Sequence, residues 1–137
     1  MEERLTYRGA VMTWECDSNR HMNVMYYINK FEHAGRSFDL ELGLHQDSSE
    51  SDHGVVVLEQ QIKYHKEVFE DDLLYIKSSL KEIGNKAFKV YHEMYNGRND
   101  ELLSSMLATL VRFDKVHRKA LPFPEERKAQ LIERWGI

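Results

Sequence analysis

From residue 24 to residue 43 the apolar positions recur three or four apart: Val24, Tyr27, Ile28, Phe31, Ala34, Phe38 and Leu42. That spacing places them on one stripe of an α-helix. Asn29, Lys30, His33, Arg36, Ser37 and Glu41 fall largely off the stripe and are expected on its solvent side. Asn23 suits the N-cap, because its side chain can accept from an unpaired backbone N–H. Gly43 suits the exit. A helix of about 20 residues is about 30 Å long and needs a broad apolar surface to lie on.

The remaining pattern supplies that surface. Between residues 54 and 66, Val56, Leu58, Ile62 and Tyr64 alternate with Glu59, Gln61, Lys63 and His65, the period of a half-buried strand. Leu74, Ile76, Ser78 and Leu80 repeat it. Gly84-Asn85 signals a two-residue hairpin, after which Phe88, Val90 and Met94 share a face. "NGRN" at 96–99 predicts the next turn. Leu107, Thr109, Val111 and Phe113 predict a further strand. Pro122 and Pro124 precede "EERKAQLIERW", a short helix with proline and acids at its start. "HQDSSESDHG" at 45–54 reads as a polar loop. The order is strand, long helix, about four antiparallel strands and a short helix. It predicts an α+β fold in which one helix covers one face of a curled sheet. An antiparallel sheet of this kind leaves a face or an edge for a partner, so a homodimer or homotetramer is expected.

Length and composition narrow the class. A chain of 137 residues suits one domain spanning 1–137. Its formal net charge of −4 gives little support to nucleic acid as a partner. Cys16 is the single cysteine, so no internal disulfide forms, and a cytoplasmic protein is expected. The polar start "MEERLTYRGA" has no signal-peptide core, and no apolar run is long enough to span a membrane. The seven histidines lack metal-ligand spacing, so neither a zinc nor an iron site is expected. Beside Asp17, Cys16 reads as an inert thiol. Taken alone, Asp17 reads as a solvated turn or capping acid.

The stretch "WECDSNRHMNVMYYINKFEHA" changes that reading. It resembles the acid-plus-helix signature of the hotdog-fold acyl-CoA thioesterases of the 4-hydroxybenzoyl-CoA thioesterase-like family. The pattern is an apolar or aromatic residue, an Asp, a Gly-His-x-Asn-like turn, then Tyr and an aromatic or acidic stretch in the helix. Here those positions are Asp17, His21, Asn23, Tyr27, Phe31 and Glu32. "VVVLEQQIKYHKEVFEDDLLYI" and "LATLVRFDKVHRKALPFPEE" are similar to the later strands of the family. The chain departs from the pattern at Arg20, where many members have Gly, and at Val24, Lys66 and "EDD" at 70–72.

The resemblance implies a long central helix wrapped by a curled antiparallel sheet, and hydrolysis of an acyl-CoA to free acid and coenzyme A. It implies no cofactor beyond the coenzyme A of the substrate, and no membrane partner. Asp17 becomes the nucleophile or general base, and the backbone N–H of Val24 the donor that receives the carbonyl oxygen's charge. His21, Asn23 and Tyr27 become substrate-binding residues. Lys63 and Arg112 stand as weak candidates for the coenzyme A phosphates, with Lys66, Lys115 and Arg118 beside them. A non-catalytic acyl-CoA or acyl-carrier-protein binding module on the same fold remains the alternative, followed by a dimerising structural domain. A hydratase of this fold is disfavoured, since its paired Asp and His signature is absent.

Overall fold

A computed structural model describes residues 2–44 and 52–137. Strand β1 (Arg4–Ala10) leads through a short 3-10 turn (Thr13–Glu15) to helix α1 (Val24–Leu42). Strands β2 (His53–Tyr64), β3 (Leu73–Ile83), β4 (Ala87–Asn96), β5 (Leu102–Asp114) and β6 (Lys119–Leu121) follow, and helix α2 (Glu125–Trp135) closes the described chain. Six strands form one antiparallel sheet in the order β1-β3-β4-β5-β2, with β6 paired to β5. The sheet does not close. It curls around α1 in the hotdog arrangement that the resemblance implies. Irregularities in the pairing of β1, β2, β3 and β4 accompany that curl, because an extra residue bends a strand and increases its twist.

Helix α1 begins and ends where its capping residues predict. The Asn23 side chain accepts the N–H of Met25 at 3.0 Å. Gly43, at φ 70°, takes the left-handed conformation that glycine adopts without strain. At the far end, Arg127 Nη2 donates to the Leu42 carbonyl at 2.6 Å and Arg134 Nη1 to that of Glu41 at 2.8 Å, so α2 places two cations on the negative end of the α1 dipole. The α1 stripe divides the core in two. Tyr27, Phe31 and Ala34 pack with Val11, Met22, Val68, Ile76, Met94 and Met106. Phe38 and Leu42 pack with Leu80, Phe88, Phe123, Leu131 and Trp135, which anchors α2. No described helix is long and apolar enough to cross a membrane.

Three expectations need correction. The alternation in β2 does not keep one phase. An irregularity between Val57 and Glu59 puts Val55 and Val57 on the helix side before it, and Gln60, Ile62 and Tyr64 there after it. Val56 and Leu58 are therefore exposed, although Ile62 and Tyr64 face α1. Next, the Gly84-Asn85 connection spans three residues and closes with the Gly84 N–H on the Ala87 carbonyl at 2.8 Å. Finally, Lys30, expected in solvent, is 2% exposed, while Val24 and Ile28 on the predicted stripe are exposed. Of the loop expected at 45–54, residues 45–51 lie outside the described residues, and β2 already begins at His53.

His92 shares the inward face of β4 with Phe88, Val90 and Met94 and is buried between the rings of Phe31 and Phe38. Its Nδ1 meets Ser78 Oγ at 2.5 Å, Ser78 meets Thr6 Oγ1 at 2.7 Å, and Thr6 donates to the Ile76 carbonyl at 3.2 Å. Every proton in this chain has an acceptor when Nδ1–H donates to Ser78. Burial pushes His92 down from its ordinary value of 6.5 to about 4. Between those values the unfolded chain binds a proton that the folded chain refuses, so stability falls as pH falls through that window. The urea midpoint is expected to drop between pH 8 and pH 5 by the equivalent of about 2 kcal/mol from this group. His92→Gln should remove that component; an unchanged pH slope in the variant would refute the assignment.

Candidate active site

The segment between β1 and α1 is strapped down from three sides. Val11 and the Phe69–Asp72 turn exchange backbone bonds at 2.9 Å, Val11 N–H to Asp72 and Asp71 N–H to Val11. Thr13 Oγ1 donates to Glu70. The N–H of Met22 reaches the Val68 carbonyl at 2.6 Å, and His21 pairs with Phe69 in an isolated bridge. Within the turn, the Asp17 N–H donates to His21 O at 3.0 Å and the Arg20 N–H to Asp17 O at 2.9 Å. This tight reversal needs a residue at positive φ. Arg20 supplies it at φ 63°, so the turn keeps a glycine-like conformation at the position where the resemblance expects glycine.

The reversal lifts the Asp17 carboxylate to the entrance of α1. Its Oδ1 accepts the N–H of Asn19 at 2.9 Å, and its Oδ2 accepts Asn23 Nδ2 at 3.2 Å. Asn23 thus bridges the acid and the helix, since its Oδ1 holds the N–H of Met25 and its carbonyl takes the N–H of Tyr26 at 2.9 Å. Among the described hydrogen bonds none takes the N–H of Val24, the first residue of α1. That donor is one of the orphan groups at a helix start, at the positive end of the dipole. His21 Nε2 lies 3.8 Å from Asp17 Oδ2, and its Nδ1 lies 3.5 Å from Glu67 Oε1.

Asp17, His21, Asn23, Val24 and Tyr27 line one cleft of about 390 Å³, together with Met22, Tyr64, His65, Lys66 and Glu67. Tyr27 and Tyr64 meet edge to face at 4.9 Å between α1 and the end of β2. Burial, with Tyr64, Glu67 and Asp72 nearby, pushes the Tyr27 phenol up to about 12, so it stays neutral. Burial also pushes the Cys16 thiol up, aided by Glu70, Asp17, Glu15 and Asp72. A thiol held protonated is a poor nucleophile.

Lys63 and Arg112 are not brought to this cleft. Lys63 lies with Lys81, Lys89 and Tyr91 on the face of the sheet away from α1, because the shifted phase of β2 turns it outward. Arg112 is buried; its Nη1 donates to the Pro122 carbonyl at 2.9 Å and its guanidinium sits 5.6 Å from the Phe123 ring. Of the basic residues considered from the sequence, Lys66 lines the cleft, with its Nζ 3.2 Å from Glu101. Sequence reasoning missed Glu15, whose buried carboxylate receives Lys30 Nζ at 3.0 and 2.9 Å and the Met12 N–H at 2.9 Å. Its signal was an acid placed two residues before Asp17 in an otherwise apolar turn.

An acid and a bare helix tip sharing one cleft, on an open sheet wrapped around the helix, define the class of hotdog-fold thioester hydrolases. The chain belongs to the thioesterase-like superfamily, whose family model matches residues 11–131. A search of curated protein sequences finds no match. Among solved structures, the chain is similar to a candidate thioesterase from Pseudomonas putida KT2440, with 25% identity, a TM-score of 0.80, and coverage of 98% of this chain and 88% of that one. A 1,4-dihydroxy-2-naphthoyl-CoA thioesterase from Synechocystis shares the fold at 16% identity and a TM-score of 0.78, with 99% of both chains covered. An aspartate-to-asparagine mutant of a 4-hydroxybenzoyl-CoA thioesterase, solved with 4-hydroxybenzoyl-CoA, does so at 17% identity and a TM-score of 0.82, covering 94% of this chain and 98% of that one.

The left-handed turn beside Asp17 can be tested by stability alone. A non-glycine residue there carries a strain of about 1–2 kcal/mol. Arg20→Gly removes it but frees the unfolded chain, so thermal unfolding should show a net gain of up to about 1 kcal/mol. Arg20→Ile should lose about 1–2 kcal/mol, since β-branched residues tolerate positive φ least. A stabilising Ile variant would contradict the turn conformation.

Proposed function

We propose that the chain hydrolyses the thioester of an acyl-CoA to free acid and coenzyme A, with Asp17 as nucleophile or general base and the Val24 N–H as oxyanion donor. The observation that carries this reading is the Asp17 carboxylate tied through Asn23 to a helix entrance whose first N–H is free, all within one cleft. The coenzyme A thioesters named for the Synechocystis and 4-hydroxybenzoyl-CoA enzymes support the substrate class.

Acting as base, Asp17 takes a proton from water as the water oxygen bonds the carbonyl carbon. Negative charge grows on the carbonyl oxygen, and the Val24 N–H with the helix dipole behind it stabilises that charge. The carbonyl re-forms, the C–S bond breaks, and coenzyme A leaves as a thiolate that takes up the proton. Acting as nucleophile, the carboxylate bonds the carbonyl carbon itself, the thiolate leaves, and water cleaves the resulting anhydride. His21 and Asn23 orient the acid, while neutral Tyr27 and Tyr64 wall the cleft. Lys66 at the rim is the base we assign to the phosphates of coenzyme A, in place of Lys63 and Arg112.

The β2 edge of the sheet carries exposed Val56, Val57 and Leu58, and the outer side of α1 exposes Met25 and Ile28. An unpaired apolar edge of this length supports a homo-oligomer, a dimer or a tetramer. Light scattering should therefore give two or four times the protomer mass of 16.3 kDa; a monomer at micromolar concentration would contradict it.

Asp17→Asn keeps the size of the side chain and one acceptor oxygen, replaces the other acceptor with an NH2, and removes the basicity. Thiol release from acyl-CoA should fall at least about 100-fold while the variant still unfolds cooperatively in urea. Equal rates in the two proteins would exclude Asp17 from the chemistry.

A further inference from the structure

Glu15 and Lys30 bring two opposite charges into the interior, at 7% and 2% exposure. Lys30 Nζ bonds both carboxylate oxygens and lies 5.8 Å from the centroid of the Tyr7 ring on β1. A buried ion pair gains little over well-packed apolar side chains, because both charges have lost their water. Stability alone therefore gives no account of it, but its connections do. Glu15 Oε1 also receives the Met12 N–H, and the Glu15 carbonyl receives the N–H of Asn23 at 2.8 Å. Asn23 is the N-cap of α1 and the hydrogen-bond partner of Asp17 Oδ2. Lys30, six residues into the helix from Val24, thus grips the turn that carries Asp17, and that turn grips the helix entrance.

We propose that the Glu15–Lys30 ion pair fixes the distance and orientation of the Asp17 carboxylate relative to the N-terminus of α1, making both residues positioning residues for the hydrolysis. The inference rests on the function proposed above. Neither residue lines the cleft, so substrate affinity and turnover should separate when the pair is replaced.

The test compares wild type with the double variant Glu15→Leu/Lys30→Met and with Lys30→Arg. The apolar double variant refills the space and should unfold at a higher urea midpoint than Lys30→Met alone, which leaves the Glu15 carboxylate buried and unpaired. In the double variant kcat for acyl-CoA hydrolysis should stay at least about ten-fold below wild type with KM within about three-fold, as expected for lost orientation. Lys30→Arg, which keeps the charge, should recover at least about a third of wild-type kcat. A double variant with wild-type kcat would reduce the pair to a structural element and overturn the proposal. Amide hydrogen exchange supplies a readout without substrate. The Asn19 and Asn23 amides should exchange at least about ten-fold faster in the double variant, with the β4 and β5 amides unchanged; unaltered exchange at Asn19 and Asn23 would also overturn it. A wild-type protein that releases no thiol would defeat the hydrolase reading instead, and the exchange result would still decide the role of the pair.

Discussion

The proposed hydrolysis depends on one constraint: among the described hydrogen bonds, none takes the N–H of Val24. A helix in a folded protein ordinarily has its first amides capped or wetted, and Asn23 does cap the next two positions, the Met25 N–H with its side chain and the Tyr26 N–H with its carbonyl. Val24 is left over. For that donor to act on a substrate, the helix behind it must be rigid and the acid beside it must not collapse onto it. Burial of Tyr27, Phe31, Ala34, Phe38 and Leu42 in the curled sheet provides the rigidity, and the bond from Asn23 to Asp17 holds the acid aside.

That arrangement has costs within its own segment. Arg20 holds a left-handed backbone conformation three residues after Asp17. Two charges are buried two residues before it on one side and within the helix on the other. Both features lower stability relative to a relaxed turn and an apolar interior. Elsewhere the molecule has two apolar clusters along α1, an antiparallel sheet and a second helix clamped by Arg127 and Arg134, with left-handed residues also at Asp71, Asp100 and Arg118 and buried charged residues at Arg112 and Asp114. A left-handed residue and a buried ion pair flanking the acid fit a site whose geometry matters more than its stability.

Much of this was legible in the residues. The bounds of α1 and α2 and the two α1 caps follow from spacing and capping chemistry and agree with the structure to within a residue, and of the stripe Tyr27, Phe31, Ala34, Phe38 and Leu42 are buried while Val24 and Ile28 are not. The grouping of Asp17, His21, Asn23, Val24 and Tyr27 came from resemblance to a family signature, since spacing alone made Asp17 an ordinary turn acid. What escaped did so for physical reasons. Lys30 was placed in solvent because a charged residue beside an apolar stripe normally is there; only a partner from a distant turn makes its burial tolerable. The outward turn of Val56 and Leu58 depends on one irregular position in β2, which no alternation can reveal. Strand β6 is three residues long and has no periodicity to read. Lys63 and Arg112 were chosen for their charge near strand ends. Charge does not say which face of a sheet a residue occupies or whether a carbonyl such as that of Pro122 claims it first.

The proposed hydrolysis requires the Asp17 carboxylate and the Val24 N–H to converge on one thioester carbonyl. The most direct measurement is a crystal structure with a non-hydrolysable acyl-CoA analogue that keeps the carbonyl and replaces the sulfur with methylene. The carbonyl oxygen is expected about 3 Å from the Val24 nitrogen and the carbonyl carbon about 3–3.5 Å from an Asp17 oxygen or from a water bound to it. An analogue seated with its carbonyl away from both groups, for example along the outer sheet face beside Lys63, would contradict it.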